Sequence, residues 1–127
     1  MDTNEVASVI VDRSLYIHKK LGPGLLESAY QRILSYELRK AGLFIKTECP
    51  IPVSWDGHVI DESFRADLIA NESVLVELKS IEKTQAIHSK QTLTYLKLSG
   101  LKLALLINFG SKLLKDDIHR IVNNLKD

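Results

Sequence analysis

The sequence predicts an α/β fold, a mixed β-sheet flanked by helices, with elements in the order αα-βββ-α-β-α. Three observations carry that expectation. Apolar residues recur at three- and four-residue intervals from Val6 to Leu38, the spacing of helices that bury one face. From Leu43 to Lys79 the pattern turns to β-rich runs, punctuated by Pro50, Pro52, Asp56-Gly57 and Asn71-Glu72-Ser73. A helical stretch then separates the apolar run ending at Lys79 from a second apolar run beginning at Leu101. A strand, a helix and a strand in succession default to a right-handed parallel crossover.

Taken in order, Glu5 to Lys20 is a helix, with Val6, Val9, Ile10, Ile17 and Leu21 on its apolar side and Asn4 as its N-cap. Leu21-Gly22-Pro23-Gly24 ends it, because Gly and Pro together break a helical run. A second helix runs from about Leu25 to Lys40, with Leu26, Ala29, Ile33, Leu34 and Leu38 as its stripe and Ala41-Gly42 as its stop. Leu43 to Val53 reads as an edge strand, since Pro50 and Pro52 cannot donate to a ladder. Trp55-Asp56-Gly57-His58 carries the Asp-Gly hairpin signal. Val59 to Ala70 is the next strand, bent near Asp61-Glu62-Ser63, and Ser73 to Lys79 is an apolar strand suited to a buried central place. These strands form a meander. Thr84 to Ser99 is the crossover helix, with Ile87, Leu93 and Leu96 inward and Gly100 as terminator. Leu101 to Gly110 is the last, buried strand, and Asp116 or Asp117 caps a short terminal helix through Leu125.

Bulk properties fit one globular domain over residues 1–127: 45% hydrophobic and 26% charged residues. The lone Cys49 allows no internal disulfide and no thiolate zinc site. No apolar stretch approaches the roughly 20 residues of a membrane span, and the N-terminus lacks the pattern of a secretion signal. The expected location is the cytoplasm, with no membrane partner. The net charge is +1 but unevenly placed: residues 1–78 carry 8 Lys/Arg against 12 Asp/Glu, and residues 79–127 carry 9 against 4. A basic C-terminal half suits a phosphate-bearing polymer, and equally suits ordinary solvated surfaces.

The chemistry concentrates in Phe64-Arg-Ala-Asp67-Leu-Ile-Ala-Asn71-Glu-Ser-Val-Leu-Val-Glu77-Leu-Lys79. Side chains alternate across a strand, so Glu77 and Lys79 share a face, and Asp67 lies on the neighbouring strand. Two carboxylates and an ammonium so placed fit a Mg²⁺ site that leaves positions for water and a phosphate oxygen. The alternative is a weak surface ion pair, but Val74, Leu75, Val76 and Leu78 are apolar on both faces, and charges in such a strand need a reason. Glu27, Tyr30 and Gln31 share one face of the second helix, where a carboxylate near the start is also favoured by the helix dipole. His88, Gln91 and Tyr95 share a face of the crossover helix. Cys49 and Trp55 read as structural, Trp55 as a hairpin or core anchor. There is no glycine-rich phosphate loop and no Gly-x-Ser-x-Gly.

Several of these segments together resemble the GxxExxY protein family, a minimal branch of the PD-(D/E)xK nucleases with their restriction-endonuclease-like fold. They are Leu-Gly-Pro-Gly24-Leu-Leu-Glu27-Ser-Ala-Tyr30, Phe-Arg-Ala-Asp67-Leu, Val-Glu77-Leu-Lys79, His88-Ser-Lys-Gln91-Thr-Leu-Thr-Tyr95-Leu and Leu-Leu-Ile-Asn108-Phe. The resemblance covers residues 5 to 122. It implies that Asp67 and Glu77 bind Mg²⁺ (or Mn²⁺) and that Lys79 positions or activates the attacking water. It further implies that Glu27 completes the metal shell, directly or through water, and that Gln91 is an accessory catalytic residue. Tyr30 and Tyr95 would line the pocket. Ala66 stands where the superfamily often has proline.

Two functional readings follow. One is a Mg²⁺-dependent nuclease acting on DNA or RNA. The other is a non-catalytic nucleic-acid-binding or regulatory protein that keeps the nuclease fold. Specificity in so short a chain would come from a homodimer, a partner protein or substrate shape.

Overall fold

The computed structural model describes residues 1–125, excluding the side chains of residues 61–63. Helix α1 (Thr3–Leu21) is started by Asp2, not Asn4. Glu5 N–H donates to Asp2 Oδ1 at 2.8 Å while Asp2 N–H donates to Glu5 Oε1 at 3.1 Å, and this reciprocal capping box outcompetes a cap two residues later. Helix α2 (Glu27–Lys40) begins two residues beyond the expected start, leaving Leu26 as an exposed N-cap and not a stripe residue.

Strands β1 (Ile45–Trp55), β2 (His58–Ala70) and β3 (Val74–Lys79) form the expected antiparallel meander. Its two turns place Asp56-Gly57 and Asn71-Glu72 at positive φ, the backbone that tight hairpins with right-handed twist require. β1 is an edge strand, and its register against β2 shifts between Ile51 and Val53, around Pro52. Trp55 sits exposed at the hairpin tip and anchors no core.

Helix α3 (Ala86–Ser99) carries the chain across to β4 (Leu103–Asn108), which lies parallel to β3 with Lys79 opposite Asn108. Thr92 and Leu96 are its buried side; Ile87, expected inward, is exposed in its first turn. The end of the chain departs from expectation. There is no terminal helix: a single 3-10 turn, Leu114–Asp116, leads into β5 (Ile118–Val122), antiparallel to β4. Ile118, Ile121 and Leu125 have helical spacing, but in the strand Ile118 and Ile121 pack into the cores on opposite faces of the sheet. All six residues of β4 are buried, so its second edge requires a ladder partner, and β5 supplies it.

The sheet thus has five strands in the order β1-β2-β3-β4-β5, covered on both faces. Val74, Val76 and Leu78 of β3, with Leu103, Leu105 and Ile107 of β4, pack against α1 and α2. Leu75 and Ala104 pack against Leu96 of α3 on the other face. By alternation, Glu77 and Lys79 share the face of Leu75. Among the described residues, no helix is long and apolar enough to cross a membrane.

Candidate functional site

The backbone ladder between β2 and β3 pairs Ala70 with Val74, Ile69 with Leu75 and Leu68 with Val76. At Asp67 side chains take it over. Leu78 N–H donates to Asp67 Oδ2 at 2.7 Å, and Asp67 N–H donates to Glu77 Oε1 at 3.3 Å. The Asp67 carbonyl accepts from Gln31 Nε2 at 3.3 Å, which ties α2 to the same point. Asp67 and Glu77 are therefore held side by side by the sheet itself.

Glu27 arrives at the rim, exposed in the first turn of α2. Its Oε1 accepts from Ser80 N–H at 3.3 Å, and Ser80 Oγ donates to the Leu25 carbonyl at 2.6 Å. These two bonds fasten the start of α2 to the end of β3. Leu25, Leu26, Glu27, Ser28 and Ser80 line a cavity of about 470 Å³ there.

The electrostatics follow from the crowding. Burial, together with the charges of Asp67 and Glu27, pushes the Glu77 carboxyl up to about 8. Burial, with Glu27 and Glu48 adding repulsion, pushes Asp67 up to about 6 despite the Leu78 hydrogen bond. Lys79 pulls both downward, yet burial and like charge win. Among the described residues, no ion pair joins Lys79 to either carboxylate. The pair is thus short of positive charge, and a divalent cation is the chemistry it fits. Among the described residues, no three His, Cys, Asp or Glu side chains converge closely enough to enclose an ion. Mg²⁺ typically takes one or two carboxylates and keeps several waters, so a two-carboxylate site suits it.

The remaining expected residues fall differently. Tyr30 does not line a pocket. It is fully buried, its ring stacked on Phe109 with centroids 4.5 Å apart. Its hydroxyl donates to the Gly22 carbonyl and accepts from Leu25 N–H, so it latches the loop that delivers Glu27. Tyr95 is half-buried with its ring stacked on Phe64, centroids 3.6 Å apart. Gln91 is exposed in α3, and among the described residues no hydrogen bond joins it to Asp67, Glu77 or Lys79. His88 Nδ1 accepts from Gln85 N–H at 2.9 Å and serves the cap of α3.

Two features escaped the sequence reading. Glu48, at φ 50°, interrupts the β1–β2 pairing opposite Asp67, and its charge reaches that carboxylate. No sequence signal marks it, because the strand register sets its place. The second is the role of Asn108, which the sequence marks only as part of the Leu-Leu-Ile-Asn108-Phe segment at the end of an apolar strand. Its Oδ1 accepts from Ile81 and Gly110 N–H, both at 3.0 Å, and its Nδ2 donates to buried Asp117 at 2.8 Å.

No curated protein and no solved structure matches this chain. Its sequence does match, over residues 4–121, the family described as the PD-(D/E)XK nuclease superfamily. That span runs from α1 into β5 and includes Glu27, Asp67, Glu77 and Lys79. With this match and a mixed sheet flanked by helices, the chain has a restriction-endonuclease-like fold and belongs to the PD-(D/E)XK nuclease superfamily.

Proposed function

We propose that the protein is a metal-dependent nuclease that hydrolyses phosphodiester bonds of DNA or RNA, with Mg²⁺ or Mn²⁺ held by Asp67 and Glu77. The observation that carries this reading is the pair of crowded, half-buried and buried carboxylates, both raised in pKa, beside a lysine on the same strand face. A divalent cation at such a pair lowers the pKa of a water and offsets charge building on the phosphorus. Glu27, on the rim, joins the shell directly or through water. Lys79 lies two residues beyond Glu77, where its ammonium orients the attacking water and steadies the developing oxyanion. Gln91, exposed on the helix covering this face, serves on the substrate side. Tyr30 acts one step back, by holding the loop before Glu27.

The test is cleavage of labelled single-stranded DNA, duplex DNA and RNA with Mg²⁺, Mn²⁺ or a chelator. Wild-type protein is expected to cleave only with metal, and folded Lys79→Ala to lose about 10²–10⁴-fold in rate. Equal activity in wild type, Asp67→Asn and Lys79→Ala would remove the proposal. Salt-sensitive binding without turnover in all three would favour the non-catalytic nucleic-acid-binding reading.

A further inference from the structure

A second cavity, of about 570 Å³, is lined in part by the loop after β3. Pro23, from the loop latched by Tyr30, forms one wall, and residues of the β3–α3 and β4–β5 connections form the others. Its base is unusually well tied. Asp117, only 5% exposed, accepts from Asn108 Nδ2 at 2.8 Å and from Thr84 N–H at 3.3 Å, both on Oδ2. Its Oδ1 lies 2.6 Å from His119 Nε2. Burial alone would raise the Asp117 carboxyl, but the bonds from Asn108, Thr84 and His119 outweigh it and hold the pKa below the usual range. Asp117 is thus an ionised clamp that holds one nitrogen of the His119 ring, and the His119 side chain stays 40% exposed at the cavity lining.

The walls are fixed as firmly. A Cβ on Gly110 would lie 2.3 Å from the Ile81 carbonyl oxygen, so the two connections touch backbone to backbone. Lys83 stands on one connection and Lys112 on the other, with Glu82 and Asp116 also at the lining. This is a concavity ringed by charged side chains and within the size range of ligand pockets, and Glu82 on its lining lies three residues beyond Lys79 in the chain. Lys79 pairs with Asn108 across β3 and β4, and Asn108 in turn holds Asp117.

We infer that this cavity is a substrate subsite, in which Lys83, Lys112 and the clamped His119 take a phosphate of the polynucleotide next to the one cleaved. The inference rests on the nuclease reading above and extends it to how the strand is held. Lysine contacts to phosphate are ionic and sequence-independent, so each removed contact weakens binding and lowers its salt dependence. Glu82 and Asp116 oppose an anion in the same space, as does Asp117, whose charge is partly offset by its bonds from Asn108, Thr84 and His119, so removing the two exposed carboxylates has a definite sign.

The experiment is fluorescence anisotropy of a short fluorescein-labelled single strand and its duplex, without divalent metal, across a salt series. Lys83→Ala and Lys112→Ala should each weaken binding about three- to tenfold and reduce the salt slope by about one. His119→Gln should also weaken binding. Glu82→Gln and Asp116→Asn should tighten it, and Lys97→Ala, on the exposed last turn of α3, should leave it unchanged. Wild-type binding with unaltered affinity and slope in both lysine variants would overturn the subsite and leave the nuclease reading standing. Absence of any wild-type binding would also overturn the subsite, while the nuclease reading stands or falls on metal-dependent cleavage in the assay above.

Discussion

Asp67 occupies the place in the ladder where a strand carbonyl would stand: Leu78 N–H donates to its Oδ2 at 2.7 Å. The proposed metal ligand is therefore also a structural bond, and substitutions there must be read on both counts. In Asp67→Asn the amide oxygen can still accept from Leu78, while the charge that repels Glu77 is gone. Metal-free Asp67→Asn should be as stable as wild type or more so, because relieving like charge at a buried pair is favourable. Addition of Mg²⁺ should raise the melting temperature of wild type and not that of the variant. Differential scanning fluorimetry with and without metal measures both. A loss of several degrees in the metal-free variant would show that the carboxylate serves the fold alone.

Stability should fall with rising pH in the absence of metal. Burial and like charge push Glu77 up to about 8 and Asp67 up to about 6 in the folded protein, from ordinary values of 4.5 and 3.8. Between those limits the native state holds protons that the unfolded chain has released, so the free energy of unfolding decreases as pH rises. The contribution is fully present below the ordinary carboxylate range and lost as pH passes through about 8. Asp117 has the opposite sign, giving stability that is present above the carboxylate range and lost on acidification. Urea midpoints across this range in chelator should show the decline, and Glu77→Gln should flatten it.

Tyr30→Phe keeps the stack on Phe109 but leaves the Gly22 carbonyl and Leu25 N–H without their shared partner. The expected cost is roughly 1–3 kcal/mol in unfolding free energy. Because the latch precedes Glu27, the metal-induced gain in melting temperature should also shrink. Leu15→Ala, a partly exposed change on α1, should leave that gain intact.

Gly110→Ala should be among the more damaging single-methyl additions in this chain. The added carbon would meet the Ile81 nitrogen at 2.4 Å and the Ser80 carbonyl carbon at 2.7 Å, both backbone atoms with no rotamer to change. Overpacking of this kind costs about 1–3 kcal/mol or more. Displacement of Ser80 would also loosen Glu27, which chemical denaturation and the metal-induced shift would report together.

The sequence exposed the parts of the site that alternation and helical spacing govern. Glu77 and Lys79 share a face because they are two apart in a strand, and the apolar neighbours on both sides made their charge conspicuous. The meander, the parallel crossover and the proline-marked edge strand were legible for the same local reasons. What alternation could not supply was register. Glu48 meets Asp67 only through the pairing of β1 with β2, and β5 exists because buried β4 has an edge to fill, a tertiary demand that overrides the helical spacing of Ile118, Ile121 and Leu125. Tyr30 was readable as a partner of Glu27 but not as a latch, since its hydrogen bonds go to the loop backbone.

The bond from Ser80 N–H to Glu27 joins residues 53 apart in the chain. Such a contact forms only after α2, the whole meander and β3 have settled, because closing so long a loop is unfavourable until the intervening strands are paired. The complete carboxylate set is thus expected to form late in folding. Binding of a divalent ion in a refolding experiment would time the final closure of the chain, while backbone probes in the β1–β2 hairpin would time its beginning.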